Sequence, residues 1–200
     1  MIPVNVPNLI TLSRIILIPL LIGIFYLPDD WVSDESKNIT ATAIFILAGI
    51  TDWLDGFLAR KLNQMSAFGA FLDPVADKLI VVAALVVLLH LEPPRVHAFV
   101  ALIIIGREIA ISALREWMAQ LGKGKSIAVA FVGKVKTVAQ ITAIIALLLH
   151  EPLIPGISTP LLGTISLWVA AVLTLWSMIH YLRLAAPHLA PDSRMRDPGD

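Results

Sequence analysis

Cysteine is absent from this chain of 200 residues. Its absence excludes disulfides, thiolate nucleophiles and Cys-ligated zinc, and leaves the compartment open. Charge is scarce too: Asp, Glu, Lys and Arg together make 15% of the residues, where a soluble domain usually has roughly 25%. The 15 basic residues balance the 15 acidic ones, so there is no net positive field to hold a nucleic acid. The first apolar run, Leu9 to Leu27, lacks a basic segment ahead of it and an A-x-A cleavage pattern. It reads as a retained membrane span and not as a leader. The histidines, His90, His97, His150, His180 and His188, do not fall at metal-ligand spacing.

Apolar residues are abundant, at 58% of the chain with a mean hydropathy of +0.83. The expected fold class is all-α, a polytopic membrane protein with one domain over residues 1–186 and a polar, disordered tail over 187–200. Six spans are expected, each near the ~20 residues that cross ~30 Å of hydrocarbon. They run from about Asn8 to Leu27, Ile39 to Arg60, Gly69 to Leu91, Val96 to Ala119, Ala128 to Leu149 and Thr159 to Ala185. Breaker-rich connections such as EPPR, LGKGKS and HEPLIPGISTP separate them. Arg60, Lys61, Arg115, Lys123 and Lys125 fall in the even-numbered turns, and Arg183, Arg194 and Arg196 near the C-terminus, whereas the odd-numbered turns have Lys37 and Arg95. That bias puts both termini in the cytoplasm.

Against this background, residues 52–77, DWLDGFLARKLNQMSAFGAFLDPVAD, stand out. Asp52 and Asp55 are three apart at the end of the second span; Asp73 and Asp77 are four apart at the start of the third. Each pair lies on one helix face. With the expected orientation all four meet at the cytoplasmic side, Asp52 ~12 Å from that end of its helix. A carboxylate in hydrocarbon is costly and marks function, and four together repel unless a cation joins them. Hard divalent ions, Mg²⁺ or Mn²⁺, suit such oxygens and bring phosphate ligands with them. Gly56, Ala59 and Gly69 leave room for a bulky group near the backbone or for close helix packing, and Arg60 is placed for a phosphate or a carboxylate. Asn8, Thr11 and Arg14 form a polar stripe on the first span, which either lines a pocket or caps the helix and snorkels. Pro19 is expected to distort that span.

The pattern D-x-x-D-G-x-x-A-R, eight residues, then G-x-x-x-D-x-x-x-D resembles the signature of the CDP-alcohol phosphotransferases, with Asp52, Asp55, Gly56, Ala59, Arg60, Gly69, Asp73 and Asp77 all in place. Segments such as VPNLITLSRIILIP, REIAISALREWMA, GKVKT and AAVLTLWSM extend the likeness over most of the chain. They point to the bacterial branch that transfers a phosphatidyl group from CDP-diacylglycerol to sn-glycerol 3-phosphate, in phosphatidylglycerol and cardiolipin synthesis. The resemblance implies a six-span homodimer in the bacterial inner membrane, among membrane lipids, with its site open to the cytoplasm. It implies two bound ions of Mg²⁺ or Mn²⁺, held by Asp52, Asp55 and Asp73 with Asp77 beside them, and Asp77 as general base. Gly56, Ala59, Arg60 and Gly69 would accommodate the CDP part of the donor.

The acceptor brings a phosphate of its own. Arg107 and Lys134, cations inside the fourth and fifth spans, are the expected anchors. Arg115 and Lys136 are further candidates. Arg107 could instead pair with Glu108, and Arg115, Lys123, Lys125 and Lys136 could be positive-inside residues. The signature fixes the CDP-linked donor and not the alcohol, so inositol phosphate or serine are alternative acceptors. An ion or metal transporter is the rival of another class, but its acids should lie near the midplane with access from both sides.

Overall fold

The structure, a computed structural model, describes residues 5–62, 66–120, 131–152 and 158–189. The described residues form helices and their connections, with no strand among them. The six α-helices are α1 (Val6–Gly23), α2 (Asp34–Lys61), α3 (Ala67–His90), α4 (Ala98–Gln120), α5 (Phe131–Leu149) and α6 (Thr159–Leu189), with a short 3₁₀ turn, Ile24–Tyr26, after α1. Lys123 and Lys125 lie outside the described residues.

Each of the first three helices begins at a polar cap. Asn5 Oδ1 accepts from the Asn8 N–H at 3.1 Å, Ser33 Oγ from the Ser36 N–H at 3.3 Å and Ser66 Oγ from the Gly69 N–H at 2.9 Å. Such caps satisfy amides that the helix leaves without partners. They also explain why α2 starts at Asp34, ahead of the Ile39 expected from hydropathy: Ser33 caps it, and Asp34 and Glu35 meet the positive end of its dipole. Pro19 is inside α1, and the helix tightens to 3₁₀ geometry one turn later. At the other end of the chain α6 continues to Leu189, past Pro187 where the polar tail was expected to start.

Among the described residues, three helical segments are long and apolar enough to cross a bilayer: Val6–Tyr26, Asp34–Leu58 and Thr159–Arg183. Val135–Leu149 is a shorter apolar helix. Of the six expected spans, three meet that measure among the described residues. Helices α3 and α4 are of spanning length, at 24 and 23 residues, but the first contains Asp73, Asp77 and Lys78 and the second Arg107, Glu108 and Arg115. Their polarity is what the site below is made of.

Helix α1 packs on α2 and α3, α5 runs along α6, α4 leans on α6, and α2 also touches α5. The core takes Leu21 from α1, Phe45 from α2, Leu85 and Leu88 from α3, Ile104 from α4, and Ile144 and Leu147 from α5. A second cluster joins Ile111 and Met118 of α4 to Tyr181 and Ala185 of α6. Ile16, Phe71, Leu102, Val138 and Trp176 face outward and are exposed, as lipid-facing side chains are. Away from the aspartates, Arg95 Nη1 donates to the Leu147 and Leu148 carbonyls at 3.1 and 3.0 Å and to Asn38 Oδ1 at 3.0 Å. It thereby fastens α2 to the C-terminal carbonyls of α5, which no intrahelical amide can reach.

Candidate active site

Helix α1 presents Asn8, Thr11 and Arg14, three residues apart, toward α2 and α3, and all three are buried. The stripe is therefore interior, and the snorkelling alternative for Arg14 does not hold. Its side chain is 0% exposed. One guanidinium nitrogen, Nη1, donates to Asp52 Oδ1 at 2.9 Å and also to Asp77 Oδ1. The other, Nη2, donates to Asp55 Oδ2. Thr11 Oγ1 sits between the remaining carboxylate, 2.7 Å from Asp73 Oδ1, and the same Asp55 Oδ2, at 3.1 Å, and is 3.1 Å from the Pro7 carbonyl. With one proton, that hydroxyl serves one acceptor at a time.

All four sequence-predicted aspartates are thus gathered around two residues of α1. They are not equivalent. Asp55 is closed in, its side chain 3% exposed, whereas Asp52 and Asp77 remain 45% and 44% exposed. The cluster has four carboxylates and one guanidinium, which three of them meet; that leaves an excess of three negative charges if all are ionised. Among the described residues no three acidic or imidazole side chains are already arranged around a point that an ion would occupy; three of the aspartates converge on Arg14 instead. The chemistry of the donor set, hard carboxylate oxygens in excess of their counter-charge, nevertheless fits a hard divalent cation.

Asp52 and Asp77 open into a cavity of about 640 Å³ between α2, α3, α4 and α5. Its polar wall comes from the second half of α2 (Asp52), the first halves of α3 and α5 (Asp77, Lys78, Thr137), and Glu108 of α4. Its apolar wall continues along the same helices, with Phe45, Ile46, Val81, Ile141 and Ile145. The space is therefore amphipathic along its length: charge at one end, hydrocarbon at the other.

Gly69 belongs to a different contact. A Cβ there would lie 2.6 Å from Asn8 Oδ1 and 3.1 Å from Ser66 Oγ. The missing side chain lets α1 close on α3, which brings Thr11 and Arg14 within reach of the aspartates. Gly56 follows Asp55 on α2, half-buried. Ala59 and Arg60 are on α2 and Lys134 is on α5, but their side chains lie outside the described residues.

Three of the cations of α4 and α5, Arg107, Arg115 and Lys136, have protein partners. Arg107 Nη1 donates to Glu108 Oε1 at 3.0 Å and Nη2 to Ser177 Oγ at 2.8 Å, so the pairing with Glu108 is formed. Lys136 Nζ donates to the same Glu108 Oε1. Arg115 donates to the Tyr181 hydroxyl at 2.9 Å and lies over its ring, 5.1 Å from the centroid. Glu108, which holds two cations together and borders the cavity, was seen in the sequence only as a partner for Arg107. The signal was an Arg-Glu pair in the middle of an apolar helix.

The model of the CDP-alcohol phosphatidyltransferase family matches residues 4–176. A CDP-diacylglycerol–glycerol-3-phosphate 3-phosphatidyltransferase of Escherichia coli (strain K12) is 49% identical over 185 residues, 92% of this chain and 97% of that protein. The protein of the same name from Salmonella choleraesuis (strain SC-B67) is 50% identical over 181 residues, covering 90% and 94% of the two chains. Another, from Shigella flexneri, is 49% identical over 185 residues, 92% and 97% of the two.

Proposed function

From the membership of this chain in the CDP-alcohol phosphatidyltransferase family, we propose that it transfers the phosphatidyl group of CDP-diacylglycerol to the primary hydroxyl of sn-glycerol 3-phosphate, giving phosphatidylglycerophosphate and CMP. The observation that supports this most is the amphipathic cavity, with Asp52 and Asp77 at its charged end and an apolar wall beyond. A donor with a nucleotide diphosphate at one end and two acyl chains at the other needs that polarity.

Asp77 is the general base in this reading. It takes the proton of the acceptor's primary hydroxyl. That oxygen forms a bond to the phosphorus bearing diacylglycerol, the bond from this phosphorus to the bridging oxygen breaks, and CMP leaves with its electron pair. Arg14 holds Asp77 and Asp52 in place from α1, so two helices meet the reacting centre in fixed geometry. Asp52, Asp55, Asp73 and Asp77 would hold Mg²⁺ or Mn²⁺, two ions in all, and such ions supply neutralisation of the pyrophosphate and of the charge on the leaving oxygen. Gly56, Ala59, Arg60 and, through the approach of α1 that it permits, Gly69 accommodate the CDP part.

For the acceptor's phosphate we retain Lys134 and Arg107, with Arg115 and Lys136 beside them. One carboxylate, Glu108, lies between Arg107 and Lys136, and a single negative charge leaves one positive charge of that pair uncompensated. The remaining features follow the same reading: six membrane-crossing helices in an inner membrane, both termini and the site on the cytoplasmic side, and a homodimer. CMP release by the purified protein from CDP-diacylglycerol tests the proposal. It should require glycerol 3-phosphate; release with serine or inositol phosphate in its place would reassign the acceptor.

A further inference from the structure

Gln140 borders the cavity from the middle of α5. It is 5% exposed, and its carboxamide oxygen, Oε1, is buried without a hydrogen-bond partner among the described residues. A buried polar atom left unpaired is costly, and Gln140 is in the wall of a space that also contains Asp52 and Asp77. An amide oxygen accepts only, so what completes it must donate an O–H or N–H.

This inference rests on the transferase reading above and names a contact within it. The phosphatidyl part of the donor offers ester and phosphate oxygens, which cannot donate. Glycerol 3-phosphate carries a secondary hydroxyl on the carbon next to the reacting one, and Asp77, which takes the reacting proton, lines the same cavity. We propose that Gln140 Oε1 accepts a hydrogen bond from the secondary hydroxyl of the acceptor, and that this bond helps select glycerol 3-phosphate and turn its primary hydroxyl toward Asp77. Gln140 is then a specificity-determining residue that touches substrate without exchanging a proton.

The test compares glycerol 3-phosphate with 3-hydroxypropyl phosphate, which lacks only that hydroxyl. Wild-type protein should discriminate against the analogue by about tenfold or more in kcat/KM. In Gln140→Leu the glycerol 3-phosphate value should fall by a similar factor while the analogue's changes less than about twofold, so that the ratio approaches one. The KM for CDP-diacylglycerol should stay as it was. The thermal midpoint of Gln140→Leu should not fall, because no protein hydrogen bond is lost; Gln140→Met serves if packing of the branched chain intervenes. Equal losses on both acceptors, no loss on either, or a raised donor KM would overturn the assignment, the last by moving Gln140 to the nucleotide. Wild-type protein that uses neither acceptor would overturn the transferase reading itself.

Discussion

Arg14 of α1 and Asp77 of α3 are joined by a hydrogen bond across 63 positions of sequence, and the same guanidinium nitrogen reaches Asp52 of α2. One buried cation therefore ties three helices together at the point where the chemistry is proposed to occur.

Arg14→Gln removes the common counter-charge of Asp52, Asp55 and Asp77. Breaking a buried pair costs about 3–5 kcal/mol, and the partial exposure of Asp52 and Asp77 lowers that figure through solvent screening. The expected result is a clear fall in thermal midpoint in EDTA, partly recovered on adding Mg²⁺. Arg14→Lys should fall between the two, since it keeps the charge and loses the fork. Equal midpoints for wild type and Arg14→Gln in EDTA would contradict the role.

Asp77→Asn keeps size and hydrogen bonding and removes the base. General-base catalysis contributes roughly 10²–10⁴-fold, so turnover should drop by at least the lower figure while CDP-diacylglycerol still binds. Loss of binding together with unimpaired residual turnover would take Asp77 out of that role.

Gly69→Ala should destabilise the protein by about 1–3 kcal/mol, because its Cβ would meet Asn8 Oδ1 at 2.6 Å. Asn8→Ala removes that atom, so the double variant should be less unstable than the sum of the two singles. Additive losses in a thermal-unfolding cycle would show that the two residues do not meet.

Lys134→Ala should raise the KM for glycerol 3-phosphate well above any change in the KM for CDP-diacylglycerol. Equal changes in both constants would remove Lys134 from the acceptor site.

The paired aspartates were legible because helical periodicity is local: spacings of three and four residues put Asp52 with Asp55 and Asp73 with Asp77 whatever the rest of the chain does. The carboxylates' partners were not, since they depend on which helix packs against which. Arg14, alone on an apolar span, is compatible with snorkelling until α1 is placed against α2 and α3. The Glu108 beside Arg107 was visible as a possible partner, but Ser177, which also accepts from Arg107, is 70 positions away and has no local signal. Gln140 gave no local signal beyond a polar side chain in an apolar run; its unpaired oxygen exists only once α5 borders the cavity. Hydropathy marked the six helices, and the charges that convert α3 and α4 from plain spans into walls of a site are the same ones that lower their apolarity.

The central claim is that the aspartate cluster transfers a phosphatidyl group to glycerol 3-phosphate. CMP release by detergent-purified protein, given CDP-diacylglycerol and Mg²⁺ with and without glycerol 3-phosphate, measures it most directly. The account predicts release that needs the acceptor and stops in EDTA; folded protein that releases no CMP with glycerol 3-phosphate, or releases it equally in EDTA, would contradict it.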